Sequence, residues 1–187
     1  MKKSITYFET PGKENTDELI QLIKERLKGS NIKYVAIASA SGETALKLSK
    51  ELDDVVIVNT THHAGFKEEN KLDISDEMRS KLEKEGIITF VGSHALSGVG
   101  RGISNKLGGF TPVEIMAETL RMFSHGIKVA VEISIMLADA GLIPVGEEIL
   151  AIGGRAQGID SAAIITPANM TKVFDLKIHE IIAMPRP

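Results

Sequence analysis

Six consecutive residues, Ser39-Ala40-Ser41-Gly42-Glu43-Thr44, bring three hydroxyls and a glycine to the junction between an apolar run and a helical pattern. Free backbone N–H groups at a helix start, the positive end of its dipole and nearby hydroxyls together suit a phosphate. Ordinary capping, with Ser41 satisfying helix donors, uses the same residues. His62 and His63 follow a second apolar run and His94 a third, which places three imidazoles on one edge of a sheet. Such a ring titrates near neutrality and serves as a general acid or base, or as a hydrogen-bond partner for a ligand. Imidazoles also suit zinc, copper or iron. Adjacent extended residues point to opposite sides, however, so His62 and His63 do not chelate one ion together. No metal site is expected.

The elements that would position these residues alternate between strand and helix. Ile5–Phe8 reads as a short strand, and Asn15 with Glu18 opens a helix that carries Leu19, Ile20, Ile23 and Leu27 to Gly29. Tyr34–Ala38 is a continuous apolar run, as in a strand covered on both faces. A helix over about 43–52, a strand at Val55–Val58, a helix capped by Ser75 and a strand at Ile87–Val91 follow. Gly92–Thr111 holds six glycines and reads as a long loop, with Arg101 as part of a mobile lid. Its Ser97-Gly98-Val99-Gly100-Arg101-Gly102 stretch is not taken as a dinucleotide fingerprint, because no helix is expected directly after it.

Thr111-Pro112-Val113-Glu114 is a capping box that starts a helix ending near Gly126, and a largely apolar helix spans Ile127–Ala140. Glu132 and Asp139 share a face of that helix, the pattern of a stripe toward solvent or another subunit. Its apolar girth also makes self-association an expectation. Strands at Glu148–Ile152 and Ser161–Thr166 and a closing strand over Val173–Met184 complete the chain. His125 and His179 read as structural or surface residues.

This alternation predicts one domain over residues 1–187, a three-layer α/β/α fold with a mostly parallel sheet and antiparallel strands at its edge. If the helix pair returns the chain across the sheet, the strands at 34–38 and 148–152 become neighbours at a topological switch point. Ligands in such folds bind outside the carboxyl ends of those strands.

Composition narrows the partners. The formal charge is −3 and aromatic residues make up 4% with no Trp, so neither a basic phosphate-backbone surface nor a base-stacking platform is present. The absence of cysteine removes disulfides, thiolate metal sites and a catalytic thiol. No apolar signal core follows Met1–Lys3, and Val129–Ala138 is too short to span a bilayer. A cytoplasmic protein with neither nucleic-acid nor membrane partners is expected.

Ser39-x-Ser41-Gly42-x-Thr44 resembles the effector-phosphate loop of the pyruvate kinase C-terminal domain. Residues Gly141–Pro144, Gly146 and Glu148–Ile152 resemble the penultimate strand of that domain. Tyr7-Phe8-Glu9, Asn15-Thr16, Thr61–Phe66, Ala95–Val99 and Asp139–Leu142 are similar to blocks of a stand-alone family of such α/β domains, over nearly the whole chain. Pyruvate kinase chemistry itself is not implied, since it sits on a barrel of about 250 residues.

The resemblance implies binding of flavin mononucleotide, with Ser39, Ala40, Ser41, Gly42, Glu43 and Thr44 around its phosphate. Glu43 departs from that pattern by placing an acid beside the nest. The loop with Gly153, Gly154, Arg155 and Asp160 would supply further contacts, Arg155 toward phosphate and Asp160 toward a hydroxyl or ring N–H. His62, His63, His94 and Arg101 complete the expected ligand set. Two functional classes remain: a flavin-dependent enzyme of unidentified substrate, and a non-catalytic sensor of a small molecule.

Overall fold

The computed structural model describes residues 2–186; Met1, where the leader reading began, lies outside them. Seven strands form one sheet: β1 (Thr6–Phe8), β2 (Tyr34–Ala38), β3 (Val56–His62), β4 (Ile88–Gly92), β5 (Ile149–Gly153), β6 (Ser161–Thr166) and β7 (Lys177–Pro185). Their order is β1-β7-β6-β5-β2-β3-β4. All neighbouring pairs are parallel except those made by β6, which runs against both β5 and β7. The antiparallel strand therefore lies inside the sheet, not at its edge. The connection from β5 to β6 is a short loop, which can only make a hairpin.

Helices cover both faces. On one side lie α1 (Thr16–Leu27), α2 (Glu43–Ser49) and α3 (Asp76–Lys84), whose Leu19, Ile20, Ile23, Leu48 and Leu82 pack on Val35, Ile37, Leu150 and Ile152. On the other, α6 (His125–Asp139) sets Ile127, Ala130 and Leu137 against Ala36, Val58, Ala151 and Ala163. Further out on that side are α4 (Gly98–Leu107) and α5 (Pro112–Arg121). The apolar girth of α6 is accounted for within one chain. Twelve of its residues are buried, between the sheet and the neighbouring α5.

Local signals explain most boundaries. Ser75 accepts from the Met78 N–H at 3.1 Å to start α3, and Thr111 and Glu114 form the reciprocal capping box of α5. The Asn15 side chain does not cap α1. A 3₁₀ turn at Lys13–Asn15 feeds directly into the helix, and Asn15 Nδ2 donates to the Thr10 carbonyl at 2.7 Å.

Three expectations need correction. The glycine-rich stretch 92–111 is not a structureless loop, because α4 occupies ten of its residues and starts at Gly98. Its glycines lie inside the helix, where they cannot form the turn that precedes one, so no dinucleotide fingerprint results. The closing strand begins at Lys177, after a 3₁₀ segment at Met170–Asp175 that takes the first part of the expected strand. Finally, β3 runs on through Thr61 to His62, four residues beyond Val58. The polar Asn59-Thr60-Thr61 end hides the continuing pairing with Thr89, Phe90 and Val91 of β4.

The strands at the heart of the sheet, β2 and β5, are parallel neighbours paired at Val35↔Leu150, Ala36↔Ala151 and Ile37↔Ile152. After β2 the chain turns to α2 on one face, whereas β5 receives its chain from α6 on the other. The sheet has its switch point there. Among the described residues no helix is long and apolar enough to cross a membrane.

Candidate functional site

The loop after β2 is tied down at several points. Ser39 N–H donates to the Thr60 carbonyl at 3.1 Å, and Thr61 Oγ1 donates to the Ala40 carbonyl at 2.6 Å. Gly42 N–H closes a turn on the Ser39 carbonyl at 3.1 Å, and α2 starts at once. Gly42 has φ +85°, and a Cβ there would lie 2.8 Å from Met78 Cγ and 2.9 Å from Leu82 Cδ1. Only glycine fits that turn, and it faces the core under α3 and lines neither cavity. Ser39, Ala40, Ser41, Glu43 and Thr44 instead line an outer cavity of about 760 Å³, together with Lys13, Lys47, Lys67 and Asp73.

An inner cavity of about 500 Å³ shares Ala38, Ala40, Lys67 and residues 156–158 with the outer one. Its far wall is α6, which approaches the sheet so closely that a Cβ on Gly153 would lie 2.2 Å from the Gly126 carbonyl. That contact brings Val129, Ile133 and Met136 over the strand ends as an apolar surface, with Lys128 and Glu132 beside them. Lys128 Nζ donates to Glu132 Oε2, and Glu132 Oε1 accepts the Leu96 N–H at 2.8 Å. Both side chains are buried, with 3% and 1% of their residues' surface exposed. Burial holds the Lys128 ammonium below its usual range, although Glu132 pulls it back up. Glu132 is thus not part of a solvent stripe. Asp139 does serve the surface, accepting from Asn169 Nδ2 and the Met170 N–H.

The opposite wall is aromatic. His62, the last residue of β3, stacks on Phe66 with centroids 3.8 Å apart, and the His94 ring lies 5.5 Å from that of His62. His62 Nδ1 is 2.6 Å from Asp73 Oδ2, an oxygen that also receives Lys67 Nζ at 3.1 Å. Burial pushes the Asp73 carboxyl up, but the bonds from His62 and Lys67 outweigh it and hold the group below its ordinary value. Burial lowers His94 below its ordinary value, with Glu132 opposing and Lys128 reinforcing. Arg101 of α4, Arg121 of α5 and His125 of α6 close the cavity.

His63 bonds its own loop through Nδ1 and the Ala64 carbonyl, and sits beside the cavity without lining it. Gly153 is the end of β5 and Gly154 reaches the inner cavity, whereas Arg155 lines neither. Asp160 does not meet the ligand role expected of it. Its buried carboxylate takes the Gly12 N–H at 3.1 Å and the Ser161 hydroxyl at 2.9 Å, and it lines neither cavity. Burial lifts it above the ordinary carboxyl value despite those bonds. His179 is a surface residue paired with Thr166. Among the described residues no three His, Asp or Glu side chains form a group that could hold a metal ion.

Sequence reasoning missed Thr60, Lys67, Asp73, Arg121, Lys128 and Glu132. The signal for one pair was available: Lys128 and Glu132, four apart on an otherwise apolar helix, can reach one another inside a dry face.

A doubly covered sheet with a polar cleft over the ends of its central strands defines a three-layer α/β domain. The family model for the pyruvate kinase alpha/beta domain matches residues 17–174, and the chain belongs to that family.

Proposed function

We propose that the cleft binds a phosphorylated small molecule, with flavin mononucleotide the best fit, its phosphate in the outer cavity and its ring in the inner one. The observation that supports this reading is the continuity of the two cavities across Ala38, Ala40 and Gly158 at the switch point. The outer cavity offers the hydroxyls of Ser39, Ser41 and Thr44, with Lys13, Lys47 and Lys67 offsetting Glu14, Asp17, Glu43 and Asp73. The inner cavity offers a slot between Ile133 and Met136 and the His62–Phe66 stack, with the Lys128 ammonium for a polar ring edge.

The test is titration of flavin mononucleotide and riboflavin, followed by quenching of flavin fluorescence, against wild type, Ser41→Ala and Arg121→Met. Charge-assisted hydrogen bonds are worth about 1.5–3 kcal/mol each. Ser41→Ala is therefore expected to weaken the mononucleotide by about tenfold and to leave riboflavin nearly unaffected. Equal affinity for the two flavins would remove the phosphate from the reading. Loss in Arg121→Met with none in Ser41→Ala would move the phosphate to the inner cavity. Gly42 substitutions are unsuitable here, because they strike the core under α3.

A further inference from the structure

We propose that His62 is a general base, oriented by Asp73, that takes a proton from a small anionic ligand in the inner cavity. The proposal rests on that cavity as a binding site and not on flavin occupying it, so the flavin titrations can fail without touching it. Four observations converge.

His62 is fixed on both sides, by its 2.6 Å contact to Asp73 and by the stack on Phe66. With Asp73 ionised, Nδ1 carries the ring hydrogen and donates it to Oδ2, which leaves the Nε2 lone pair free. Among the described residues Nε2 has no hydrogen-bond partner, and the ring lines the cavity. The lining also carries Arg101, Arg121 and Lys128; Glu118 pairs with Arg121 and Glu132 with Lys128, which leaves the charge of Arg101 as the cavity's positive excess. Among the described residues the hydroxyl of Thr60, a cavity residue 6% exposed, has no hydrogen-bond partner. A buried unpartnered hydroxyl is expensive when left so, and a ligand oxygen would satisfy it.

The step balances without a further reagent. A C–H or O–H proton of the ligand passes to Nε2 and makes an imidazolium opposite the Asp73 carboxylate. The electron pair stays on the ligand as an enolate or alkoxide, whose charge the cations and the Thr60 hydroxyl stabilise. The imidazolium then returns the proton to the ligand or to water. Asp73 acts only through His62 and is a positioning residue.

The probe is 5-nitrobenzisoxazole, an uncharged molecule small enough for the cavity. Removal of its C3 hydrogen forms the nitrile, breaks the N–O bond and releases a coloured cyanophenolate. The purified full chain is expected to exceed an equal concentration of free imidazole by about a hundredfold, the range of a positioned base. His62→Gln should fall to the imidazole level. Asp73→Asn should lose about tenfold and Asp73→Glu should recover part of that loss, which a merely structural carboxylate would not produce. His179→Gln, on the surface at Thr166, should match wild type. Inorganic phosphate should inhibit competitively, and less so in Arg121→Met. A wild-type rate no higher than imidazole overturns the proposal whatever the variants do. So does a rate that survives His62→Gln. Failure of phosphate to compete overturns the anionic character assigned to the ligand.

Discussion

Lys128 and Glu132 stand one helical turn apart with almost no access to water, and each is the other's means of remaining charged. Breaking such a pair from one side leaves a stranded charge and costs about 3–5 kcal/mol, whereas removing both charges is often close to neutral. Lys128→Met is therefore expected to lose about 3 kcal/mol or more of unfolding free energy. Glu132→Gln should lose less, since the amide oxygen still accepts from Leu96. The double variant should recover to within about 1 kcal/mol of wild type, because the surviving amide needs no cation. Urea unfolding of the four proteins measures this cycle. Additive losses would show that the two residues act independently.

At the scale of elements, α4 shows how much of the molecule could be read from residue order. Strand β2 was legible as a continuous apolar run, and α3 and α5 through Ser75 and the Thr111–Glu114 box, because each signal is local. In α4 the signal Val99, Ile103, Leu107 recurs every four residues, but three glycines among ten residues argue against a helix more strongly. The structure separates those glycines. A Cβ on Gly100 would lie 2.7 Å from Thr111 Oγ1 and 2.9 Å from Val113 Cγ2, so α5 requires it to be bare. At Gly102 nothing lies within 4 Å. Gly102→Ala should stabilise by about 0.5–1 kcal/mol and slow hydrogen exchange across α4, whereas Gly100→Ala should destabilise. Equal signs for the two would mean that α4 is not packed on α5 as described. The candidate site was legible where one stretch supplies it, as at Ser39–Thr44. Asp73 and Arg121 come from segments that no spacing connects to the strand ends, and only the packed fold brings them there.

On the scale of the whole molecule, Glu180 joins the first helix to the last strand. Its carboxylate, on β7, accepts from Arg26 Nε, shared between its two oxygens at 2.9 and 3.0 Å, from Arg26 Nη2 at 2.8 Å and from Lys3 Nζ at 2.8 Å. Burial alone would raise this carboxyl, but the bonds from Arg26 and Lys3 outweigh it and hold the group below its ordinary value. A carboxyl depressed in the folded state adds stability above its unfolded value of about 4.3 and loses it as the pH falls through the folded value. Glu180→Gln should therefore be less stable than wild type at pH 7, and the difference should shrink below about pH 4. Parallel urea curves at the two pH values test it. A gap unchanged by acid would rule out the ion pair as its source.

The position of β1 bears on the order in which the chain can assemble. This strand has a single neighbour, β7, paired as Thr6↔Ala183 and Phe8↔Pro185. Meanwhile β2, β3 and β4 are adjacent in both sequence and sheet, and can associate early through the local crossovers that carry α2 and α3. During synthesis β1 emerges before the other strands of this sheet, yet it has no strand to pair with until β7 has left the ribosome. The apolar face of α1 must likewise wait for part of its cover, since it rests on β6 and β7 as well as on the early core. Half-made chains thus carry an open strand at one end and, where β7 will dock, the unpaired edge of β6 or β5. Those intermediates are the forms on which chaperones and proteases would act, and a cut before Lys177 would make that condition permanent.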